Sequence, residues 1–378
     1  MKENKLYYGW LSVLGVFIVI GLVAIIRIFV EGHGALFHTD DRVPWTLLLA
    51  AYVFFVLTST GVTLVASLPQ VFGMKQFEPI AKRSIFIAIA ALIAGFISMV
   101  MELGSPFKMV YYMISPNLAS PIWWMGLFYG LLLVFLLVKF YKMHIGDWHS
   151  KFSKFLAVGT FIIEIAALST LGLVFGLIEA RPTFFGEYIQ VYFLFTAFLS
   201  GLAAIMLFSL VYFKVTIGKI PEEQESLFNN IAKIFTAVIA ITFVFTIWRA
   251  TVGLYANRAE FSNIQFVLNS LPYQLEIFVG LMLPLGLMLV VKIRNSFTGK
   301  VLASTLVILG LALGRMHLLM AGQIVPIMPK LTIDQEILFY FPTIWEWVVS
   351  LFSFAVMFLI YTLGEKYLKL GDVPKKVA

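Results

Sequence analysis

Ionisable side chains within long apolar stretches are the residues of this sequence best placed to do chemistry. Eight such side chains lie away from the lysine-bearing ends of these stretches, and Glu164 lies near the middle of its stretch. The other seven lie toward one common side: Arg27, Glu102, Arg249, Glu276, Arg315, His317 and Glu346. A charge in hydrocarbon is costly, so these residues are usually functional or tightly paired. Their one-sided placement predicts a polar pocket that is open to the outer half of a bilayer.

Two interpretations of these charges stay open at the level of sequence. Three arginines could neutralise the three glutamates on the outer side, as structural ion pairs would. Alternatively, the group could bind a polar headgroup while apolar walls hold its tail. Glu164 has no opposite charge one helical turn away, so it is either a mid-membrane proton carrier or the partner of an arginine on another helix.

The elements that position these residues follow from composition. The chain has 378 residues, of which 61% are hydrophobic and 12% charged, which excludes a soluble protein of this length. Ten apolar stretches can each cross about 30 Å of hydrocarbon as a helix. They cover approximately residues 9–30, 45–71, 84–103, 121–142, 154–178, 189–213, 230–256, 272–292, 301–323 and 342–364. The sequence therefore predicts an all-α integral membrane protein with ten transmembrane helices.

The distribution of lysine and arginine predicts the orientation. Most of those outside the apolar stretches fall at the two termini and in alternate loops, which by the positive-inside rule places both termini in the cytoplasm of a cell-membrane protein. Three domains are predicted: a first four-helix bundle with the binding site over 1–143, a second bundle over 144–292, and two C-terminal helices with a cytoplasmic tail over 293–378.

Composition also limits the redox chemistry that this chain can hold. It has no cysteine, so it supplies no thiolate for an iron-sulfur cluster. A membrane haem usually needs two buried histidines, and of the five here only His317 lies clearly within a stretch. His144 and His149 form a loose pair in an inner loop, where solvated residues are the stronger expectation than a metal site. We therefore expect no haem, cluster or metal on this chain.

One segment, MELGSPFKMVYYMISPNLASPIWWMG over 101–126, resembles the signature of the NrfD, or polysulfide reductase membrane subunit, family. An acidic-Leu-Gly-x-Pro run closes one span there, and a Pro-Asn-x-x-Ser run precedes a tryptophan-rich helix. The matching residues are Glu102, Leu103, Gly104, Pro106, Pro116, Asn117, Ser120, Trp123 and Trp124. Ser105 departs from the arginine common in this run. The stretch before Trp45 and the run over 77–83 are similar to the ten-span subgroup that includes DsrP-type subunits.

The resemblance implies a membrane subunit that exchanges electrons between menaquinol and a ferredoxin-like iron-sulfur partner at the outer surface, with proton translocation as an open possibility. A multihaem cytochrome and further membrane subunits are additional expected partners. Menaquinone or menaquinol would bind in the first bundle near the outer face. The expected binding residues are His33, Asp41, Trp45, Tyr52, Glu102, Tyr111, Tyr112 and Asn117. The expected proton path or electrostatic support comprises Glu164, Arg249, Glu276, Arg315 and Glu346.

Two other functions compete with this one. A secondary transporter would also place charges inside a helix bundle, commonly on interrupted helices. Only the eighth apolar stretch, with Pro284 and Gly286, is predicted to be interrupted. A structural anchor would hold the iron-sulfur subunit in place without a quinone site, and substitutions at Glu102 and His33 would then leave quinol oxidation intact.

Overall fold

The fold consists entirely of helices in the part of the chain that the computed structural model describes, residues 5–37, 39–40, 42–181, 183–256, 264–324, 338 and 340–373. Ten helices within those ranges are long and apolar enough to cross a membrane, which confirms the predicted architecture. In chain order they are α1 Lys5–Glu31, α2 Leu47–Phe72, α3 Glu78–Glu102, α4 Pro121–His144, α5 Lys151–Gly176, α6 Tyr188–Tyr212, α7 Glu222–Tyr255, α8 Leu271–Leu289, α9 Phe297–Gln323 and α10 Ile344–Tyr367.

Local sequence signals explain where several helices begin and end. The Thr46 side chain caps the start of α2 by accepting a hydrogen bond from the Leu48 backbone N–H. Gly73 ends α2 with a φ of +71°, a conformation that glycine adopts without steric cost. Proline opens α4 at Pro121, because a first-turn N–H would lack a partner in any case. Thr46 and Pro121 lie at the end of the molecule that the sequence predicts to face outward, which is called the outer end below, and the opposite end is called the inner end.

The helices pack as two four-helix bundles, one formed by α2 to α5 and the other by α6 to α9. Of the remaining two helices, α1 packs against α10, and α10 packs onto α3. The predicted domain boundaries at 143 and 292 stay a prediction. The long connection between α3 and α4 joins the second and third helices of the first bundle, and the long connection between α7 and α8 joins the second and third helices of the second bundle.

Two glycines bring the bundles into close contact. A Cβ atom on Gly61 of α2 would lie 1.7 Å from the Ala197 carbonyl oxygen of α6. A Cβ atom on Gly201 of α6 would in turn lie 2.1 Å from the Gly61 carbonyl carbon. Small residues of this kind let helix backbones approach closely in a membrane, where packing rather than the hydrophobic effect holds helices together.

The irregular part of α8 differs in position from the interruption predicted at Pro284 and Gly286. The helix remains continuous there, and a π-helical segment covers Glu276–Met282 instead. Segments of this type are rare and occur frequently at functional sites. The irregularity therefore falls on a charged residue near the outer end rather than on the proline.

Four basic residues near the predicted inner ends of the spans lie inside helices and are buried: Lys82, Arg83, Lys139 and Lys300. Hydrogen bonds or an opposite charge from elsewhere in the chain stabilise these buried charges. Lys82 donates to the Lys369 carbonyl oxygen and to Asp372, each at 2.9 Å. Lys300 donates to Asn229 at 2.6 Å. The C-terminal segment therefore folds against the inner end of α3.

Candidate functional site

The start of α2 brings two carboxylates together at the outer end of the molecule. Glu102, the last residue of α3, accepts hydrogen bonds from the Thr46 backbone N–H at 2.9 Å and from the Thr46 hydroxyl. Glu346 of α10 accepts from the Leu47 N–H at 3.2 Å. The N-terminus of a helix carries partial positive charge, which stabilises nearby carboxylates. This helix start supplies the electrostatic support for both acids.

Glu346 is held by contacts within its own helix as well. It is the third residue of α10 and forms a capping box with Thr343, whose hydroxyl accepts from the Glu346 N–H at 3.2 Å. The Tyr340 hydroxyl donates to the Glu346 carboxylate and accepts from the Leu47 N–H at 2.7 Å. Glu346 is fully buried. Glu346 therefore caps the start of α10, which is the role that a Thr-x-x-Glu pattern at the start of an apolar helix predicts.

Trp45 is fixed through its backbone and its ring. Gln323 of α9 accepts from the Trp45 N–H at 3.0 Å and donates to the Trp45 carbonyl oxygen at 3.1 Å. The indole lies against Phe175 and Phe184 with ring centroids 5.8 and 5.6 Å away. The Arg181 guanidinium lies 5.6 Å from the ring centroid. Trp45 therefore joins the two bundles at the outer end, next to the Glu102 hydrogen bonds.

His33 lies beside Glu102 in the short helix His33–Leu36 that follows α1. Burial lowers the pKa of His33, and contact with the Glu102 backbone opposes this shift in part. Its Nε2 atom is buried and has no hydrogen-bond partner within the described ranges. This histidine is therefore neutral near pH 7 and has a nitrogen available to a ligand. Asp41, the other predicted acidic member, lies outside the described residues.

The remaining predicted binding residues lie apart from this helix start. Tyr52 is buried inside the first bundle, edge-on to Tyr129 at 6.5 Å. Tyr112 donates to the Ile122 and Trp123 carbonyl oxygens, and burial raises its pKa to about 12. Asn117 accepts from the Ala119 N–H at 3.2 Å. Tyr111 is 59% exposed. The last three residues belong to the outer loop between α3 and α4, where two of them fix its local shape.

Three of the predicted charges gather in the second bundle. Glu276 of α8 accepts from the Tyr192 hydroxyl, and its Oε2 lies 3.5 Å from His317 Nδ1. Arg315 donates to the Thr196 hydroxyl and lies 5.1 Å from the Tyr192 ring centroid. Arg249 of α7 lies over the Tyr188 ring at 3.8 Å. Arg315 contacts Thr196 of α6 and His317 contacts Glu276 of α8, and Arg315 also interacts electrostatically with Glu276.

An open cavity adjoins these residues. Its empty space, including the mouth, is about 650 Å³, and its polar wall includes Tyr188, Arg249, Tyr273, Glu276 and His317. A second cavity shares His317 and Ala321 with the first and reaches Gln323 and Tyr340. Since Gln323 and Tyr340 also bind the backbone at the start of α2, polar contacts connect the outer ends of the two bundles.

Glu164 is fully buried in α5, and its nearest charge is a lysine rather than the expected arginine. Lys139 of α4 is buried as well and interacts electrostatically with Glu164, as does Tyr129. The polar atoms of all three side chains have no hydrogen-bond partner among the described residues. Arg27 does not reach these groups, because it pairs with Glu31 at 2.5 Å on the surface of α1.

Sequence reasoning missed several members of these clusters. Thr46, Gln323, Tyr340, Tyr188 and Tyr192 contact the predicted acids and bases but were not identified. Thr46 carried a readable signal, since a threonine before an apolar stretch is a common helix N-cap. Gln323, Tyr188 and Tyr192 are brought in by packing between helices that are distant in sequence, which no local pattern reveals. Tyr340 precedes α10 and contacts Glu346 six residues later.

Comparison with known proteins shows the family to which the chain belongs. The family model described as "Polysulphide reductase, NrfD" matches residues 35–327, which include α2 to α9, Glu102 and the charged residues of the second bundle, whereas His33 and Glu346 lie outside the matched range. The chain belongs to the NrfD family. The match confirms the resemblance that the Glu102 signature predicted.

Full-length relatives of this NrfD protein are named as parts of redox enzymes. It is 23% identical to a selenate reductase subunit of Mesobacillus selenatarsenatis, over 99% of this chain and 96% of that protein. It is 22% identical to "Hdr-like menaquinol oxidoreductase integral membrane subunit" of Archaeoglobus fulgidus, over 95% of this chain and 92% of that protein. The chain is therefore a multi-pass membrane protein whose relatives are membrane subunits of oxidoreductase complexes.

Proposed function

We propose that this protein is the quinone-interacting membrane subunit of a respiratory oxidoreductase, and that it exchanges electrons between menaquinol and an iron-sulfur subunit bound at its outer face. The NrfD membership and the relative named as a menaquinol oxidoreductase subunit support this class of function. Menaquinone binds as a substrate in this proposal, and the redox centres belong to the partner. The membrane is the cell membrane, with both termini in the cytoplasm.

The observation that carries the proposal is the contact of His33 with the Glu102 backbone at the outer end of the first bundle, which places an imidazole and a carboxylate on neighbouring elements. Glu102 is partly buried and oriented by Thr46, while His33 is half-buried and has an unpartnered nitrogen. Oxidation of a quinol to a quinone releases two electrons and two protons, so the headgroup needs proton acceptors beside its hydroxyl groups. We assign this acceptor role to His33 and Glu102.

The two products of the reaction leave by separate routes in this proposal. The electrons pass one at a time to the iron-sulfur partner, which is reduced. The protons pass from His33 and Glu102 to water at the outer surface, since both residues lie at the outer end of their helices. Trp45 and Gln323 hold the start of α2 in place beside the headgroup. Asp41 remains a proposed member at the exit.

The outer loop between α3 and α4 provides a docking surface for the iron-sulfur subunit. Phe107 is 82% exposed, Ile114 67% and Leu118 63%. Tyr112 fixes this loop to the start of α4 through the Ile122 and Trp123 carbonyl oxygens. An exposed apolar patch on a fixed loop is typical of a protein interaction site. Because the patch follows Glu102 directly, the bound partner would lie next to the proposed headgroup site.

The proposal also includes proton translocation, in which Glu164 takes part. This carboxylate and Lys139 are buried together in the first bundle, below the outer site. Ionisable residues inside membrane helices commonly belong to proton relays. We propose that the pair takes up protons from the inner side. Arg249, Glu276, Arg315 and Glu346 then provide electrostatic support at the outer end.

A substitution in the assembled complex tests the headgroup site. Glu102→Gln keeps the side-chain shape and a hydrogen-bond acceptor for Thr46 but removes the proton acceptor. We expect the rate of menaquinol oxidation to fall about 10²- to 10⁴-fold, the usual contribution of a general base. The control is Glu31→Gln, which removes a carboxylate from the exposed outer end of α1.

The same experiment separates the proposal from the structural-anchor alternative. If the complex with Glu102→Gln assembles fully and oxidises menaquinol at the wild-type rate, Glu102 has no role in the reaction. A wild-type rate for His33→Ala as well would leave only the anchor function. Co-purification of the iron-sulfur subunit with each variant establishes that assembly is intact.

A further inference from the structure

The second bundle contains a cavity that the proposed reaction does not use. It lies at the outer end of α6 to α9 and is lined by Tyr188, Tyr273, Arg249, Glu276 and His317 together with apolar residues of α9 and of the helix Ile264–Leu268. The cavity is open to the outside, and its empty space is about 650 Å³ when the mouth is included. An aromatic and apolar cavity with few polar groups is the usual composition of a ligand site.

One ring nitrogen of His317 lies near a carboxylate, and the other is available to a ligand. Its Nδ1 lies 3.5 Å from Glu276 Oε2, which orients the imidazole ring. Its Nε2 is buried and has no hydrogen-bond partner among the residues that the structure describes. The side chain lines both cavities, and the Tyr273 ring centroid lies 5.0 Å from that of His317. A buried polar atom without a partner is costly unless a ligand or water satisfies it.

The backbone around Glu276 is built to place this carboxylate. Glu276 begins the π-helical segment of α8 and is 2% exposed. A Cβ atom on Gly314 of α9 would lie 2.6 Å from Glu276 Cδ, so only glycine leaves room for the carboxyl group. Gly280 and Gly310 bring the two helix backbones together, since a Cβ on Gly280 would lie 2.5 Å from the Gly310 Cα. Helix irregularity of this kind is concentrated at functional sites.

The charges of the cavity wall favour a neutral headgroup. Arg249 and Glu276 contribute one positive and one negative charge, and Arg249 is held by the Tyr188 ring and the Thr183 carbonyl oxygen. Arg315 does not line the cavity, because it lies behind Tyr192 and donates to Thr196. A phosphate headgroup would need an excess of positive charge. A planar ring with two oxygen atoms needs only aromatic walls and a few hydrogen-bonding groups.

The position of the cavity repeats that of the proposed reaction site. Both lie at the outer end of a four-helix bundle, and in each bundle a long outer connection joins the second and third helices. Glu102 of the first bundle has His33 beside it, from the short helix that follows α1, and Glu276 of the second bundle has His317 beside it within the same bundle. At this end of each bundle an acid thus lies next to a histidine whose Nε2 has no partner among the described residues.

We infer that the second bundle holds a second binding site for a quinone or quinol headgroup, in which His317 Nε2 bonds to one ring oxygen and Glu276 fixes the imidazole. Apolar residues such as Leu268 and Leu318 line the path of the tail. This is a binding site, and no electron transfer is assigned to it. The choice of a quinone as the ligand rests on the proposed function. The position of the site rests on the cavity and on His317, and does not depend on that function.

Equilibrium binding to the assembled complex in lipid nanodiscs tests the inference. The probe is a menaquinone with a short isoprenoid tail, and a photoreactive derivative of it identifies the labelled residues. We expect two equivalents per chain, with labels in α7 to α9 as well as near Glu102. His317→Ala should weaken one of the two equivalents at least tenfold, since it removes a hydrogen bond that the site otherwise leaves unsatisfied. His317→Gln should restore part of this affinity.

Further variants keep the two proposals separable. Gly314→Ala displaces the Glu276 carboxylate without touching His317 and should weaken the same equivalent. Glu102→Gln should leave that equivalent unchanged. The second site would be overturned if the complex binds a single equivalent of menaquinone, Glu102→Gln loses it, and His317→Ala and Gly314→Ala bind it as the wild type does. The reverse pattern would support the second site and contradict the proposed reaction site. Recovery of a phospholipid instead of quinone from the cavity would also refute it.

Discussion

The buried ion pair between Arg83 and Glu365 allows a quantitative test of how the inner end of the fold is stabilised. Arg83 Nε lies 2.5 Å from Glu365 Oε1, and the two side chains are 1% and 2% exposed. Tyr361 also donates to Glu365 at 2.6 Å, and the Tyr212 ring centroid lies 4.5 Å from the guanidinium. The pair joins α3 to α10 and is distant from both outer clusters.

Arg83→Met should leave the Glu365 charge buried with only the Tyr361 hydroxyl as a partner. Breaking a buried pair on one side costs about 3–5 kcal/mol, so we expect the free energy of unfolding to fall by that amount. The double variant Arg83→Met with Glu365→Met removes both charges and should lose less than either single variant. The assay is unfolding by sodium dodecyl sulfate in mixed micelles, followed by circular dichroism.

The surface pair of Arg27 with Glu31 is a matched control, because its nitrogen-oxygen distance is also 2.5 Å while its side chains are 38% and 39% exposed. Arg27→Met should change stability little, since exposed pairs contribute little. Additive losses in the Arg83 and Glu365 double variant, or a loss for Arg83→Met as small as that for Arg27→Met, would refute the reasoning that burial determines the strength of this pair.

Three further predictions concern the partner, the proton route and pH. Phe107→Glu combined with Ile114→Glu should reduce co-purification of the iron-sulfur subunit, whereas Ile145→Glu, an equally apolar exposed change at the inner end, should not; equal recovery would exclude the loop as the docking surface. Glu164→Gln should abolish proton uptake into vesicles during menaquinol oxidation while electron transfer continues, and unchanged uptake would exclude Glu164 from the route. Burial lowers the pKa of His33 below its unfolded value of about 6.5. The free energy of unfolding of the wild type should therefore be highest above that pH and should fall as the pH decreases toward and through the folded pKa. His33→Gln should lack this dependence, and identical pH profiles for the two proteins would contradict the shift.

The architecture could be predicted from the sequence because residues that are adjacent in the chain specify each transmembrane helix. An apolar stretch of the right length specifies a membrane helix by itself, and the segment around Glu102 specifies the family. The capping role of Glu346 was equally readable from Thr343 three residues earlier. Such features depend on neighbours in the chain, and a sequence lists those neighbours directly.

The partners of the charged residues could not be predicted, because they depend on helix packing. Lys139 looked like an inner-loop residue until Glu164 on the adjacent helix accounted for its burial. Glu276 was expected near arginines, but Tyr192 and His317 contact it most directly. Tyr112 was expected in the quinone pocket, and its hydrogen bonds to the start of α4, which fix its own loop, were not expected. Rotation of each helix about its axis decides these contacts, and apolar sequences that face both lipid and protein leave that rotation undetermined.

The most direct test of the central claim is to purify the native complex, add menaquinol without oxygen, and follow the iron-sulfur clusters by electron paramagnetic resonance. The proposal predicts that an iron-sulfur protein is recovered with this chain, that menaquinol reduces its clusters, and that Glu102→Gln slows this reduction while Glu31→Gln does not. Absence of a cluster-bearing partner, or a co-purified cluster that menaquinol fails to reduce, would contradict the assignment of this chain as a quinone-interacting subunit.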